Sequence, residues 1–331
     1  MNMTNRTLFL LLFSLGAVVA CGENVEVTVT NDSGDPVEGS IVDVWYLGHL
    51  ESGKDDVKKT GFTNSSGKVK KSGVGKNSIR VVVSKAGWYR TETERLSPGK
   101  DYQIEMAIRE RRIPIPLVVR EMDLVMPEEN IPIGFDLEVG DWTAPYGKGK
   151  VADFTFEMRR EFKGYDLAGK ALEDRIQRSK KRYAATNRNW TLKEFQNRAG
   201  KWDANVTMRI LTEGGGFYDV EDAYLPNSEL SMPHEAPEDG YERVLELEGS
   251  TYSQARAFAR ETGRFLRTRV QMRDGEIVRA NYAKIVGGIK IQAGHAKVQF
   301  VYYFNPTPNN RNLEFDPDSN LADDQSRHFP P

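Results

Sequence analysis

The stretch MPHEAPEDGY, Met232–Tyr241, gathers His234, Glu235, Glu238 and Asp239 around Pro233 and Pro237. Two carboxylates facing each other across a cleft can act as acid and base in glycoside cleavage, and their separation sets the stereochemical outcome. That role would fall to Glu235, Glu238 and Asp239. The sequence offers no second facing pair, and solvated loops collect such residues for no catalytic reason. A second stretch, GDWTAPYGKG at 140–149, sets Trp142 and Tyr146 in a turn-rich loop with no alternation to bury them. Aromatic platforms suit sugar rings, whose C–H faces pack on π surfaces while nearby polar groups take the hydroxyls. The competing reading is that Trp142 plugs the end of a core, since Trp is highly buried on average.

Other chemistries find no support in spacing. The four histidines, His49, His234, His295 and His328, never pair at i, i+2 or i, i+4, so no zinc pattern exists. There is no G-x-S-x-G elbow for a serine nucleophile. GVGKNS lacks the spacing of a phosphate-binding loop, and EGGGFYD lacks both its Lys and its hydroxyl, reading instead as a turn or bulge. Asp316, Asp318 and Asn320 open like a calcium loop, but Leu321 stands where that loop needs Gly and Arg327 where it needs Glu. No cofactor is expected. The helix-like run GKALEDRIQRSKKRYAATNR could touch phosphate or lipid heads, yet its interspersed acids favour a solvated surface helix. With 46 basic and 48 acidic side chains, the net charge of −2 gives no global pull toward nucleic acid.

The elements that would position these residues read mainly as strands. Val25, Val27 and Val29 alternate with polar residues, and SIVDVWYL, SIRVVVS and DYQIEMAI follow at short spacing between turn formers. RERRIPIPL, 109–116 and the Leu after it, breaks the pattern, because each Pro lacks a ladder donor, and reads as a stiff linker or edge strand. Alternation resumes from Leu117, with a helical excursion over about 166–200 that includes Thr191-Leu192-Lys193-Glu194, a capping box. Asp274-Gly275 between two alternating runs is a hairpin signal. The expected fold is mainly β: two β-sandwich domains, over 21–108 and 117–321, the second larger with a short helical insertion. A mobile tail is expected at 322–331.

Three resemblances add to this. VTVTNDSGDPVEGSIVDVW, TGFTNSSGKV and IRVVVSKAGWY resemble the carboxypeptidase regulatory-like domain, a transthyretin-like sandwich, matching at Asp32, Gly34-Asp35-Pro36-Val37, Gly39, Gly67 and Lys85-Ala86-Gly87. The chain departs from that family at Ser40, Asn64, Val69 and Trp88. The resemblance implies a noncatalytic spacer over roughly 24–108. At the other end of the pattern, Leu8–Ala20 is too short to span a bilayer, which takes about 20 residues. With Arg6 before it, this run reads as an export signal. Val18-Val19-Ala20-Cys21 resembles the lipobox of bacterial lipoproteins. That resemblance implies cleavage after residue 20, lipidation with palmitate or similar chains at Cys21, the only cysteine, and a membrane anchor in the cell envelope. Gly22 after the cysteine implies outer-membrane delivery. Finally, FDLEVGDWTAPYGKGK, MPHEAPEDGY, FLRTRV and YYFNPTPNNRNLEFDPDSNL together resemble a group of bacterial envelope lipoproteins that pair such a module with a β-rich domain. That likeness implies architecture and carries over no functional residue.

The leading expectation is therefore a lipid-anchored envelope protein, noncatalytic, binding glycan or a protein partner through loops of the second domain, with Trp142 and Tyr146 as the ligand-binding candidates. The alternatives are a carbohydrate-active hydrolase using the carboxylates of 232–241, or a structural component of an envelope complex.

Overall fold

Strands alternate because successive side chains point to opposite faces, so a sheet with one covered face selects apolar residues at every second position. The computed structural model describes residues 22–48, 56–220, 223–251 and 262–322; the export signal, Cys21, His49, His328 and all but the first residue of the expected tail lie outside them. The described chain is mainly β, with eighteen strands in four sheets and two α-helices. It divides into two units.

In the first unit (residues 1–29, 36–83 and 93–106) two sheets form. The order β4-β1-β7 joins Lys68–Gly73, Glu23–Thr30 and Tyr102–Ala107. The order β3-β2-β5 joins Val57–Phe62, Ile41–Leu47 and Ser78–Ser84, while the short β6, Thr91–Glu92, falls within 84–92 of the second unit. Val25, Val27 and Val29 on β1 and Val42, Val44 and Tyr46 on β2 are all fully buried, as period-two alternation requires. The Tyr46 hydroxyl crosses to donate to the Lys71 carbonyl at 3.2 Å, tying β2 to β4.

The second unit (residues 30–35, 84–92 and 107–331) carries the larger sheets. A five-stranded sheet runs β10-β9-β11-β12-β14, from Asp141–Trp142, Ile133–Asp136, Phe154–Tyr165, Gly200–Arg209 and Val244–Ser250. A six-stranded sheet runs β13-β15-β16-β17-β8-β18, from Gly216–Val220, Gly263–Arg273, Glu276–Gln292, Lys297–Asn305, Ile115–Val125 and Phe315–Asn320. Phe135, Phe154, Phe156, Met208, Ile285, Phe300 and Tyr302 close one core between these sheets. The Asp274-Gly275 turn joins β15 to β16 with both residues at positive φ, 54° and 84°, as a type I′ hairpin requires. Pro116 sits in β8 ahead of the β17 ladder, which begins at Val118, so its missing N–H breaks no bond. Between β11 and β12 stand α1 (Gly169–Ala185) and α2 (Leu192–Ala199). Thr191 caps α2, its hydroxyl accepting from Glu194 N at 3.1 Å.

The six-stranded sheet is covered on its other face too. Phe265, Tyr282, Tyr303, Leu313, Phe315, Met232 and Ala236 form a second core there. The segment 232–241 and the strand-like segment 311–315 supply the cover, held together by Ala236 N to Arg311 O at 2.9 Å and Leu313 N to His234 O at 2.7 Å. Three polar groups of this unit are buried as well. Arg109, at the start of the run that reads as a stiff linker or edge strand, is 2% exposed; its guanidinium donates to Asp32 at 2.9 Å and to the carbonyls of Leu230 and Ala223. Glu314 accepts from Tyr89 Oη at 2.8 Å and from the backbone N–H groups of Arg112 and Ile113. Lys284 is fully buried, its Nζ 4.6 Å from the Tyr303 ring centroid and without a hydrogen-bond partner among the described residues.

Candidate binding site

The loop carrying Trp142 is organised by one carboxylate. Asp136 Oδ2 accepts from Lys150 N at 2.8 Å and Val151 N at 3.0 Å, while Oδ1 accepts from Glu138 N and Val139 N. The loop's two arms are thereby pinned together, and Trp142 is pressed inward. It is 6% exposed and meets Phe135 and Phe156 edge-on at 5.7 Å. An indole so placed has no open face for a sugar; it belongs to the core. Tyr146 is half-buried against the same core, its hydroxyl donating to Glu128 at 2.7 Å.

The acidic loop lies elsewhere in the same unit. Glu235, Glu238 and Asp239 are exposed, and the first two turn toward one guanidinium, that of Arg311, at 3.7 and 2.9 Å. A buried general acid opposite a base is not what these two form. His234 is buried instead, with Nε2 donating to the Glu110 carbonyl at 2.7 Å, and burial lowers its pKa despite that bond. The Asp316–Asn320 stretch is strand β18, Asn320 bonding the Val119 backbone at both ends, and the described residues contain no acidic or histidine cluster able to hold a metal.

What the structure brings together is a groove that follows β13. This edge strand turns Phe217 into the main core and Tyr218 the other way, where Tyr218 remains 36% exposed. Tyr218 stands as a ridge between two depressions. One, of about 480 Å3, is lined by Asp219, Val220, Phe265, Pro233, Glu235 and Pro237. The other, of about 220 Å3, is lined by Asp219, Gly240, Glu242, Val244 and Leu245. The preceding glycines make the approach possible. Gly214 adopts φ +73°, and a Cβ on Gly216 would stand 2.7 Å from the Glu242 carbonyl, where Phe217 exchanges backbone hydrogen bonds with Glu242.

The ridge is braced from behind. Tyr241 lies 6.0 Å from Tyr218 with its hydroxyl on the Pro237 carbonyl at 2.8 Å, and burial raises its pKa. The Arg267 guanidinium covers the Tyr241 ring at 4.3 Å and donates to the Gly214 and Glu238 carbonyls, joining both rims. Asp219 is held by Arg264 at 2.6 Å. A half-exposed phenol, a fixed carboxylate and proline-walled hollows make a surface able to stack a ring and accept hydroxyl hydrogen bonds. Sequence reasoning found Glu235 and passed over Tyr218. The available signal was the Phe217-Tyr218 pair itself, two aromatics on opposite faces of a strand of which only one can enter the core.

No family model matches this chain, and no curated protein matches it. Among solved structures it is similar to a 3-chlorocatechol 1,2-dioxygenase from Rhodococcus opacus, at 10% identity and a TM-score of 0.23, over 28% of this chain and 61% of that one. It is also similar to a presumed carbohydrate-binding protein from Bacteroides uniformis, at 9% identity and a TM-score of 0.21, over 85% and 97% of the two chains. A third is a presumed membrane-associated protein of unknown function from Bacteroides fragilis, at 10% identity and a TM-score of 0.19, over 87% and 98%. Likenesses this distant carry no argument about function.

Proposed function

We propose that this chain is a lipid-anchored protein of the bacterial cell envelope that binds glycan, noncatalytically, along the groove divided by Tyr218. The observation that carries the glycan reading is the exposed Tyr218 ring between two hollows, flanked by the fixed Asp219 carboxylate and the rim residue Glu235. Hollows on both sides of one aromatic ridge suit consecutive sugar units better than an isolated small molecule. The ridge takes over the part that the sequence reading gave to Trp142. A screen of the purified chain on polysaccharide arrays should find a ligand whose affinity falls about tenfold in Tyr218→Ala, equivalent to about 1.4 kcal/mol. Unchanged binding by that variant would remove the groove from the account.

The anchor reading rests on the sequence alone, on Val18-Val19-Ala20-Cys21 after a short apolar run. Among the described residues no helix is long and apolar enough to cross a membrane. Stable attachment by acyl chains needs more than one of them, which a lipoprotein cysteine supplies. Cys21→Ser should therefore move the protein from the membrane fraction to the soluble fraction on cell fractionation. Mass spectrometry showing an unmodified thiol at the mature terminus would refute the anchor and leave the groove untouched.

A further inference from the structure

The helical insertion holds a third hollow, of about 280 Å3, lined by residues none of which line the Tyr218 groove. Arg175, Arg178, Ser179 and Arg182 fall at i, i+3, i+4 and i+7 on α1, a spacing that puts them on one helical face. That face lines the hollow together with Phe195, Arg198 and Ala199 from α2. All four guanidinium-bearing residues are exposed. Among the described residues none of the four has a carboxylate within ion-pair distance, although Glu173, Asp174 and Glu194 lie on the same two helices. Four positive charges are thus gathered around one small concavity and left without counter-ions from the chain.

A second observation comes from the lining itself. Tyr183 is 6% exposed, and its hydroxyl is buried with no hydrogen-bond partner among the described residues. A buried hydroxyl without a partner costs about 1–3 kcal/mol, so its retention in a ligand hollow has a use if a ligand oxygen completes it. The Arg198 guanidinium lies 5.6 Å from the centre of the same ring. The site's rim is held in place as well, with Trp190 Nε1 on Ser179 Oγ at 3.2 Å and Lys180 Nζ 4.7 Å from the Trp190 ring. The positive field also reaches His295, an exposed residue whose pKa is lowered first by desolvation and then by Lys297, Arg198 and Arg160.

We propose that this hollow binds a phosphate group, as a phosphomonoester or phosphodiester borne on a glycan or on a lipid headgroup. Guanidinium forks match phosphate oxygens in pairs, and a tetrahedral anion can meet several of them at once where a planar carboxylate satisfies one. The volume corresponds to roughly nine waters at about 30 Å3 each, room for a phosphate and part of what carries it.

The test uses the full chain carrying Cys21→Ser, so that no acyl chain at residue 21 holds the protein to vesicles. Inorganic pyrophosphate is titrated by calorimetry, and flotation is measured with phosphatidylcholine vesicles doped with phosphatidic acid, or with oleic acid at equal surface charge. Arg178→Gln/Arg182→Gln should weaken the response at least tenfold, and Tyr183→Phe severalfold, with the circular dichroism spectrum unchanged. Saturable pyrophosphate binding without vesicle preference supports a soluble or glycan phosphate. Variant-sensitive preference for phosphatidic acid over oleic acid supports a headgroup. Equal flotation on both vesicle types without pyrophosphate binding, or binding indifferent to the arginine pair, overturns the proposal. Tyr218→Ala should leave all of these readings unchanged.

Discussion

Replacing Lys284 by Met is expected to stabilise the protein by several kcal/mol at neutral pH. The ammonium is wholly buried, lies opposite Phe265 and Tyr303 in the ladder, and has no hydrogen-bond partner among the described residues. Desolvation is the main cause that brings its pKa down to about 7, with Arg109 pushing the same way and Glu314 opposing. A lysine whose folded pKa is depressed binds more protons unfolded than folded throughout the interval between the two values. Stability therefore rises with pH from about 7 toward the unfolded value near 10.4. The slope approaches about 1.4 kcal/mol per pH unit, and the full penalty below that window is on the order of 4–5 kcal/mol. Methionine has similar volume and no charge to desolvate, and Glu314 keeps its three donors from Tyr89, Arg112 and Ile113. Urea denaturation at pH 7, 8 and 9 should show the wild-type midpoint climbing and the Lys284→Met midpoint high and nearly flat. A wild-type midpoint that fails to climb across the same range would mean that Lys284 stays charged in the folded protein. The comparison stops short of pH 10, where the buried phenols Tyr89 and Tyr303, both raised by burial, begin to pull the other way.

Lys284 also marks where sequence reading stops. Within ANYAKIVGG the alternation identifies a strand, and Lys284 falls on the face opposite Ala283 and Ile285, a position that would be solvated if the sheet had one wet face. It is buried because 232–241 and 311–315 cover that face, and those segments have no period that announces packing. Arg109 is hidden too, its guanidinium on Asp32 and on the carbonyls of Ala223 and Leu230, a burial that its place in a run of charges and prolines does not announce. Where a pattern is local, the reading holds: the β1 valines, the Asp274-Gly275 hairpin and the Thr191 cap each depend on residues a few positions apart. The helical insertion, expected over about 166–200, occupies 169–199 for the same reason. The groove beside Tyr218 depends instead on β13, the 233–241 loop and β15 converging, and strand order is not written in any one of them. Trp142 illustrates the limit from the other side, since a loop without alternation can still bury its aromatic when a carboxylate such as Asp136 folds the loop back on the core.

That carboxylate belongs to an ionic cluster of three acids around one guanidinium, and Arg269→Met is expected to cost about 3–5 kcal/mol by leaving its acids unpaired. Arg269 sits at a bulge in β15 with φ 51°, so the irregularity aims its side chain across to the 136–153 loop. There it meets Asp153 with Nε at 2.9 Å and Nη2 at 3.0 Å, Asp136 at 3.0 Å and Glu138 at 2.6 Å, with the guanidinium 4.9 Å from the Phe304 ring centroid. The two buried acids respond differently to the same neighbour. At Asp153 desolvation prevails and the pKa is raised even with Arg269 present. At Asp136 desolvation is outweighed by the N–H groups of Lys150, Val151 and Val139, and the pKa is lowered. Removing the guanidinium thus falls hardest on Asp153, whose remaining donors are few. Its pKa should rise further, so that the folded variant takes up a proton that the unfolded chain does not hold until lower pH. The sign follows: the variant's deficit is largest at neutral pH and narrows as pH falls and a neutral carboxyl is buried in place of an anion. Denaturation midpoints at pH 7 and pH 5 measure both parts. A loss below about 1 kcal/mol at pH 7 would mean that the cluster is solvated and the loop holds without it. A deficit unchanged between pH 7 and pH 5 would instead assign the loss to packing, because removing a cation raises the pKa of Asp136 as well as of Asp153 and both shifts narrow the deficit in acid.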